Sequence, residues 1–260
     1  MSRITAPRFL TAVLGTSLIV ASGFAIAHDK PAHEVAVSET KPAFMIDMKK
    51  GEVLQVIASE LRTDGAAAAR QYGQTAFPIA QRHGFKRLGQ LNVTRNAVSD
   101  YEPQAFSFFS WPSQKAVDAF DAEPEWPAVK ATRPQAWSEL KVFSSELKED
   151  LTLSFSPDKH YTVLVAWLKS DDDIADYNRY LTGIEPAVAR SGGQFLYKMR
   201  LPSMEAHASD PKPPHQLTFV EWESTDGFAK VQQTQEYLDH REYFSSSMER
   251  FEFYWLKAPK

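Results

Sequence analysis

Hydrophobic positions along this chain change period in an order that occurs twice. Residues 53–61 (VLQVIASEL) crowd apolar and β-branched side chains into a short run, which predicts a strand. Residues 66–84 (AAAARQYGQTAFPIAQRHG) predict a helix, 85–94 (FKRLGQLNVT) and 105–111 (AFSFFSW) two strands, 113–137 a helical stretch, and 141–147 (KVFSSEL) a closing strand. The order then returns. A strand at 160–168 (HYTVLVAWL) precedes a helix at 171–192, strands at 194–202 (QFLYKMRLP) and 216–222 (QLTFVEW), a helical stretch at 224–247 and a last strand at 251–256 (FEFYWL). Each half therefore reads β-α-β-β-α-β. The clearest helix places Ile174, Tyr177, Leu181, Ile184 and Val188 at steps of three and four, on one face. Asp171, Asp172 and Asp173 suit its N-terminus, and Gly192 with Gly193 stops it. In the last strand Phe251, Phe253 and Trp255 alternate with Glu252, Tyr254 and Leu256.

The two halves also share residues. Tyr72, Pro78 and Gly84 lie six apart, as do Tyr180, Pro186 and Gly192, at an offset of 108. Further on, Phe108, Trp111, Ser113 and Glu125 match Phe219, Trp222, Ser224 and Glu236 at an offset of 111, with Trp126 answered by Tyr237. Self-similarity at a fixed offset signals a duplicated unit, and extra residues near EAHASDPKPPH account for the change of register. Trp111 and Trp222, at strand ends, are expected to be packing anchors rather than site residues.

The pattern Y-x5-P-x5-G, then a strand ending before a Ser-led helix, then EWPAVKA or EYLDHRE, resembles a family of small bacterial domains of unknown function. These belong to the dimeric α/β-barrel superfamily, with EthD-like domains, antibiotic-biosynthesis monooxygenases and stress-responsive barrel proteins as relatives. The resemblance covers about residues 52–258. It implies an α+β fold of two ferredoxin-like units in tandem, whose two sheets face each other around a lumen within one chain. The units are assigned to 51–150 and 151–260, after a polar segment at 28–50 read as a flexible tail.

Residues 1–27 read as an export signal. Arg3 and Arg8 precede an apolar run from Phe9 that closes on Ala25-Ile26-Ala27, and cleavage is expected after Ala27. The expected address is the periplasm or the exterior. The chain has no cysteine, which excludes disulfides and thiolate chemistry. A formal charge of −4 with no basic block argues against nucleic acid and against anionic membrane surfaces. A homo-oligomer stays open.

Candidate chemistry comes from strand parity, with the more polar face taken as the lumen. Lys198 and Arg200 alternate with Tyr197 and Met199; Glu252 and Tyr254 alternate with the aromatic residues of the last strand. Arg87 matches Lys198 at an offset of 111, and Glu221 and His160 add ionisable groups on strands. Arg87, Lys198, Arg200, Glu221 and Tyr254 are thus candidate contacts for a small aromatic or acidic molecule. The alternative is that they are solvated rim residues or a structural ion pair. Relatives imply cofactor-free chemistry, with His160 or Glu252 as base and Arg200 and Tyr254 as oxyanion stabilisers. KVFSSEL has no counterpart to Tyr254, so one half is expected to carry a site and the other to be mainly scaffold, with the choice between them open. For metals, cleavage would expose His28 as an N-terminus near His33, a set suited to Cu(II). The other histidines lack metal-ligand spacing, and no metal or cofactor is expected.

The leading reading is an exported barrel that binds a small organic molecule. The alternatives are a cofactor-free oxygenase or isomerase acting on an aromatic or polyketide-like compound, and an interaction protein with a plugged barrel. Trp167, Phe195, Phe219, Phe251, Phe253 and Trp255 decide between them by whether they fill the lumen.

Overall fold

The structure, a computed structural model, describes residues 41–260. The expected export signal and the metal candidates His28 and His33 lie outside the described residues. The first half contains β1 (Phe44–Met48), β2 (Val53–Leu61), α1 (Ala66–Arg82), β3 (Lys86–Val98), β4 (Ala105–Trp111), α2 (Gln114–Asp121), α3 (Trp126–Lys130), α4 (Arg133–Ala136) and β5 (Trp137–Glu146). The second contains β6 (Leu151–Phe155), β7 (His160–Leu168), α5 (Ile174–Arg190), β8 (Gly193–Arg200), β9 (Ser203–His207), β10 (Gln216–Trp222), α6 (Gly227–Val231), α7 (Gln235–Ser247) and β11 (Met248–Lys257). No helix among the described residues is long and apolar enough to cross a membrane.

Each half builds the same four-stranded antiparallel sheet, in the orders β3-β4-β2-β5 and β8-β10-β7-β11. The sheets join through β11 with β3 and through β5 with β9, giving nine strands. The ladder is not closed by hydrogen bonds. Its two edge strands, β8 and β9, are consecutive in the chain, separated at Leu201 (φ 43°) and Pro202. A left-handed residue followed by one with no N–H ends a ladder. The corresponding strand of the first half, β3, runs unbroken.

Pairing registers refine the repeat. Lys86 faces Ser110 in β4 and Gln194 faces Glu221 in β10, so β3 and β8 correspond at the helix offset of 108. Arg87 therefore matches Phe195, not Lys198; the change to 111 comes later in the chain. The segment 28–50 also needs correction. Phe44–Met48 is a strand, paired antiparallel with β6, with Ile46 opposite Leu153. Ile46 and Met48 are buried while Met45 and Asp47 point outward, the period of a half-buried strand. The unit is thus one strand longer than the sequence pattern suggests.

Three apolar cores result. Two lie between a sheet and its helices, and the third lies between the sheets. The inter-sheet space, expected to be a ligand-holding lumen, is filled by side chains from both halves, with β1 and β6 supplying Ile46, Met48, Leu153 and Phe155. A sheet covered on one face must bury the other, and here the short β1–β6 ribbon completes that burial. The deciding aromatic residues divide. Trp167 and Phe219 belong to the inter-sheet core; Phe195, Phe251 and Trp255 pack under the helices, and the Phe253 ring lies 5.2 Å from that of Phe228 in α6, tilted by 55°.

Equivalent residues meet where the halves are related by a pseudo-two-fold axis. Ile46 pairs with Leu153, Phe108 lies 5.5 Å from Phe219, and Lys141 Nζ is 2.6 Å from Glu252 Oε1.

Candidate ligand pocket

The sequence-derived candidates do not converge. Glu252 and Tyr254 do face the inter-sheet core, at one end. The Tyr254 hydroxyl lies 3.1 Å from both the Tyr101 carbonyl and Glu252 Oε2, while Lys141 Nζ also reaches Glu139 at 3.3 Å and covers the Tyr101 ring at 4.1 Å. Burial, then the neighbouring Glu252 charge, pushes the Tyr254 hydroxyl far above the ordinary tyrosine range. Glu221 is on the same face, opposite Tyr161, and burial raises its carboxyl. Lys198 and Arg200 face the helices instead, opposite Thr218 and Gln216. A bulge between Phe219 and Val220 is the reason: it inserts Leu196 and reverses the parity of the strand. Arg87 pairs opposite Phe109, also on the helix face, and donates to Gln90. His160 lies opposite Trp222, with its imidazole held below the usual value by partial burial and by Lys257. Among the described residues no group of three or more metal-ligating side chains forms.

A cavity of about 250 Å³ opens elsewhere, between the sheet and helices of the first half. The repeat explains it, because the second half fills the same place. Val142 and Ser144 line the cavity where the second half has Phe253 and Trp255; Ala76 and Ala80 of α1 stand where α5 has Ile184 and Val188. The helical layers differ too. Helix α7 is continuous, but the matching stretch breaks into α3 and α4 before Pro134. Proline lacks the N–H that would bond one turn back, to Lys130. The residue before it, Arg133, stands in the place of Phe244. Both contact the equivalent tyrosine: Phe244 lies 5.0 Å from the Tyr180 ring, and the Arg133 guanidinium 5.8 Å from the Tyr72 ring.

The walls are aromatic, from Tyr72, Phe77, Phe85, Trp111, Phe120 and Trp126. Arg133 is buried; its Nε donates to Tyr72 Oη at 3.0 Å, its Nη1 to Glu205, and it sits 5.3 Å over Trp126. Lys130 lies 2.9 Å from the other Glu205 oxygen, so this carboxylate holds two cations. Glu205, Met204 and Ser203 come from β9, so the second half supplies one wall. Burial raises the Asp121 carboxyl above its usual range despite Lys130 nearby.

One buried polar group of the pocket wall is left over. Trp222 Nε1 donates to Thr162 Oγ1 at 3.0 Å, but Trp111 Nε1 is buried without a partner. Gln55 replaces Thr162, and its amide turns to Ser144 Oγ at 3.1 Å. The signal for this pocket was present in the sequence: small or polar residues in one copy where the other has large aromatic ones.

No protein-family model matches the sequence, and no curated protein matches it. Solved structures do. An anthrone oxidase-like protein matches at 9% identity and a TM-score of 0.51, covering 83% of this chain and 94% of its own. A candidate monooxygenase from Lactobacillus acidophilus NCFM matches at 11% identity and a TM-score of 0.41, covering 80% and 93%. A candidate antibiotic biosynthesis monooxygenase from Nitrosomonas europaea matches at 18% identity and a TM-score of 0.31, covering 41% and 95%. What the anthrone oxidase-like protein shares is the fold: two ferredoxin-like units supplied by one polypeptide, in a dimeric-α/β-barrel-type arrangement whose sheet is not closed.

Proposed function

We propose that the protein binds a small, uncharged organic molecule in the first half, between α1, the α2–α4 layer and strands β2, β5 and β9. The observation that carries this reading is the contrast between copies: aromatic side chains occupy the place in one half and a cavity occupies it in the other. Its volume is near the lower end of ligand pockets, enough for a compact ring system. Aromatic walls favour a flat molecule. Arg133 and Lys130 already share Glu205, and Asp121 resists ionisation, so nothing there offers a free charge to a charged ligand. Ser144 accepts from Gln55 and keeps its own hydroxyl proton to donate to a ligand oxygen. The site operates outside the cytoplasm in this reading, after removal of residues 1–27; the intact mass of the protein from its native host tests that.

The binding test is a tryptophan-fluorescence titration with anthrone, an uncharged fused-ring ketone, chosen because the anthrone oxidase-like protein shares the fold. Saturable quenching is expected. Val142→Phe with Ser144→Trp transplants the filling of the second half and should abolish binding while leaving the unfolding midpoint unchanged or raised. Absence of binding, or binding that survives in the filled variant, overturns the assignment.

A further inference from the structure

Of the three equivalent pairs on the pseudo-two-fold axis, two match in character: Ile46 with Leu153, and Phe108 with Phe219. The third pair does not. Lys141 and Glu252 hold the same place in β5 and β11, 111 residues apart, and bear opposite charges. Their side chains are only 6% and 12% exposed. A half paired with a copy of itself about this axis would set Lys141 against Lys141, or Glu252 against Glu252. Like charges in contact and short of water repel strongly, whereas the unlike pair is hydrogen-bonded.

Neighbouring charges leave this contrast in place. Glu139, 3.3 Å from Lys141 Nζ, belongs to the same half as Lys141 and would accompany it in either pairing. Its counterpart Arg250 turns elsewhere, 4.1 Å over the Trp167 ring and 3.4 Å from Asp210. Among the described residues Glu252 therefore has no cation from its own half within ion-pair distance, only Lys141 from the other.

We propose that the inner sheet face of each half is keyed to the other half and rejects a second copy of itself, with Lys141–Glu252 as the discriminating contact. A buried ion pair often adds little net stability over apolar residues of the same shape; its use here is selection among partners. Both like-charge contacts can be built inside the intact chain. Glu252→Lys sets lysine against lysine, and Lys141→Glu sets glutamate against glutamate. Each should lower the thermal midpoint by on the order of 10 °C, and by more than the neutral replacements Glu252→Gln and Lys141→Met. The doubly reversed K141E/E252K chain should recover part of the loss, the remainder being the carboxylate that K141E sets beside Glu139. If a single reversal gives no folded protein, the yield and midpoint of the double variant carry the test. Reversals no worse than the neutral replacements, or a double variant as damaged as both singles added, overturn the proposal.

Discussion

Trp111 and Trp222 show how one residue in two contexts separates packing from hydrogen bonding. Both rings are buried against sheet and helix, and both were expected to be packing anchors. Only Trp222 has a partner for its N–H. Trp222→Phe should strand Thr162 and cost about 1–3 kcal/mol, while Trp111→Phe should cost clearly less because it breaks no bond. Parallel urea titrations of the two variants check this; equal losses would show that packing alone decides. Glu221 gives a pH-dependent case. Burial raises its folded carboxyl above the unfolded value, with Lys159 opposing. The native state then binds more protons than the unfolded one across that interval, so stability falls as pH rises through it and the cost is fully present above it. Glu221→Gln should therefore raise the thermal midpoint at neutral pH and lose that advantage at about pH 3, below the unfolded glutamate value.

At the scale of elements, strands such as 53–61 and 160–168, and the helices at 66–84 and 171–192, were legible because each has a clear period and marked ends. β1 and β6 were not: each is only five residues long, and a proline-bearing stretch precedes β1. Their partners are each other, more than a hundred residues apart, and local pattern cannot report that. The inner face was misread for a related reason. A bulge at Leu196 reverses parity within β8, and the face filled by β1 and β6 is the apolar one. If β1 is integral to that core, Ile46→Ala should destabilise the protein by about 2–4 kcal/mol, measured by urea unfolding. A loss below 1 kcal/mol would return residues 44–48 to the status of a tail.

For the whole molecule, the duplication could be read from spacing and the barrel-type arrangement from the family resemblance, but the location of the candidate site could not. The sequence directed attention to charged strand residues of the second half; the structure gives that half aromatic filling and leaves space in the other. Comparing Val142 with Phe253 and Ser144 with Trp255 would have found the cavity without coordinates, once strand-for-strand correspondence was known. The complementary pair on the axis has a genetic consequence. In a symmetric dimer every mutation appears twice, so a change that opens a cavity weakens both subunits at once, and an opposite-charge pair between equivalent positions cannot arise. Covalent linkage of the copies removes both restrictions. One copy is free to give up packing while its sister conserves the frame, and the route back to two identical subunits is closed by the charges themselves.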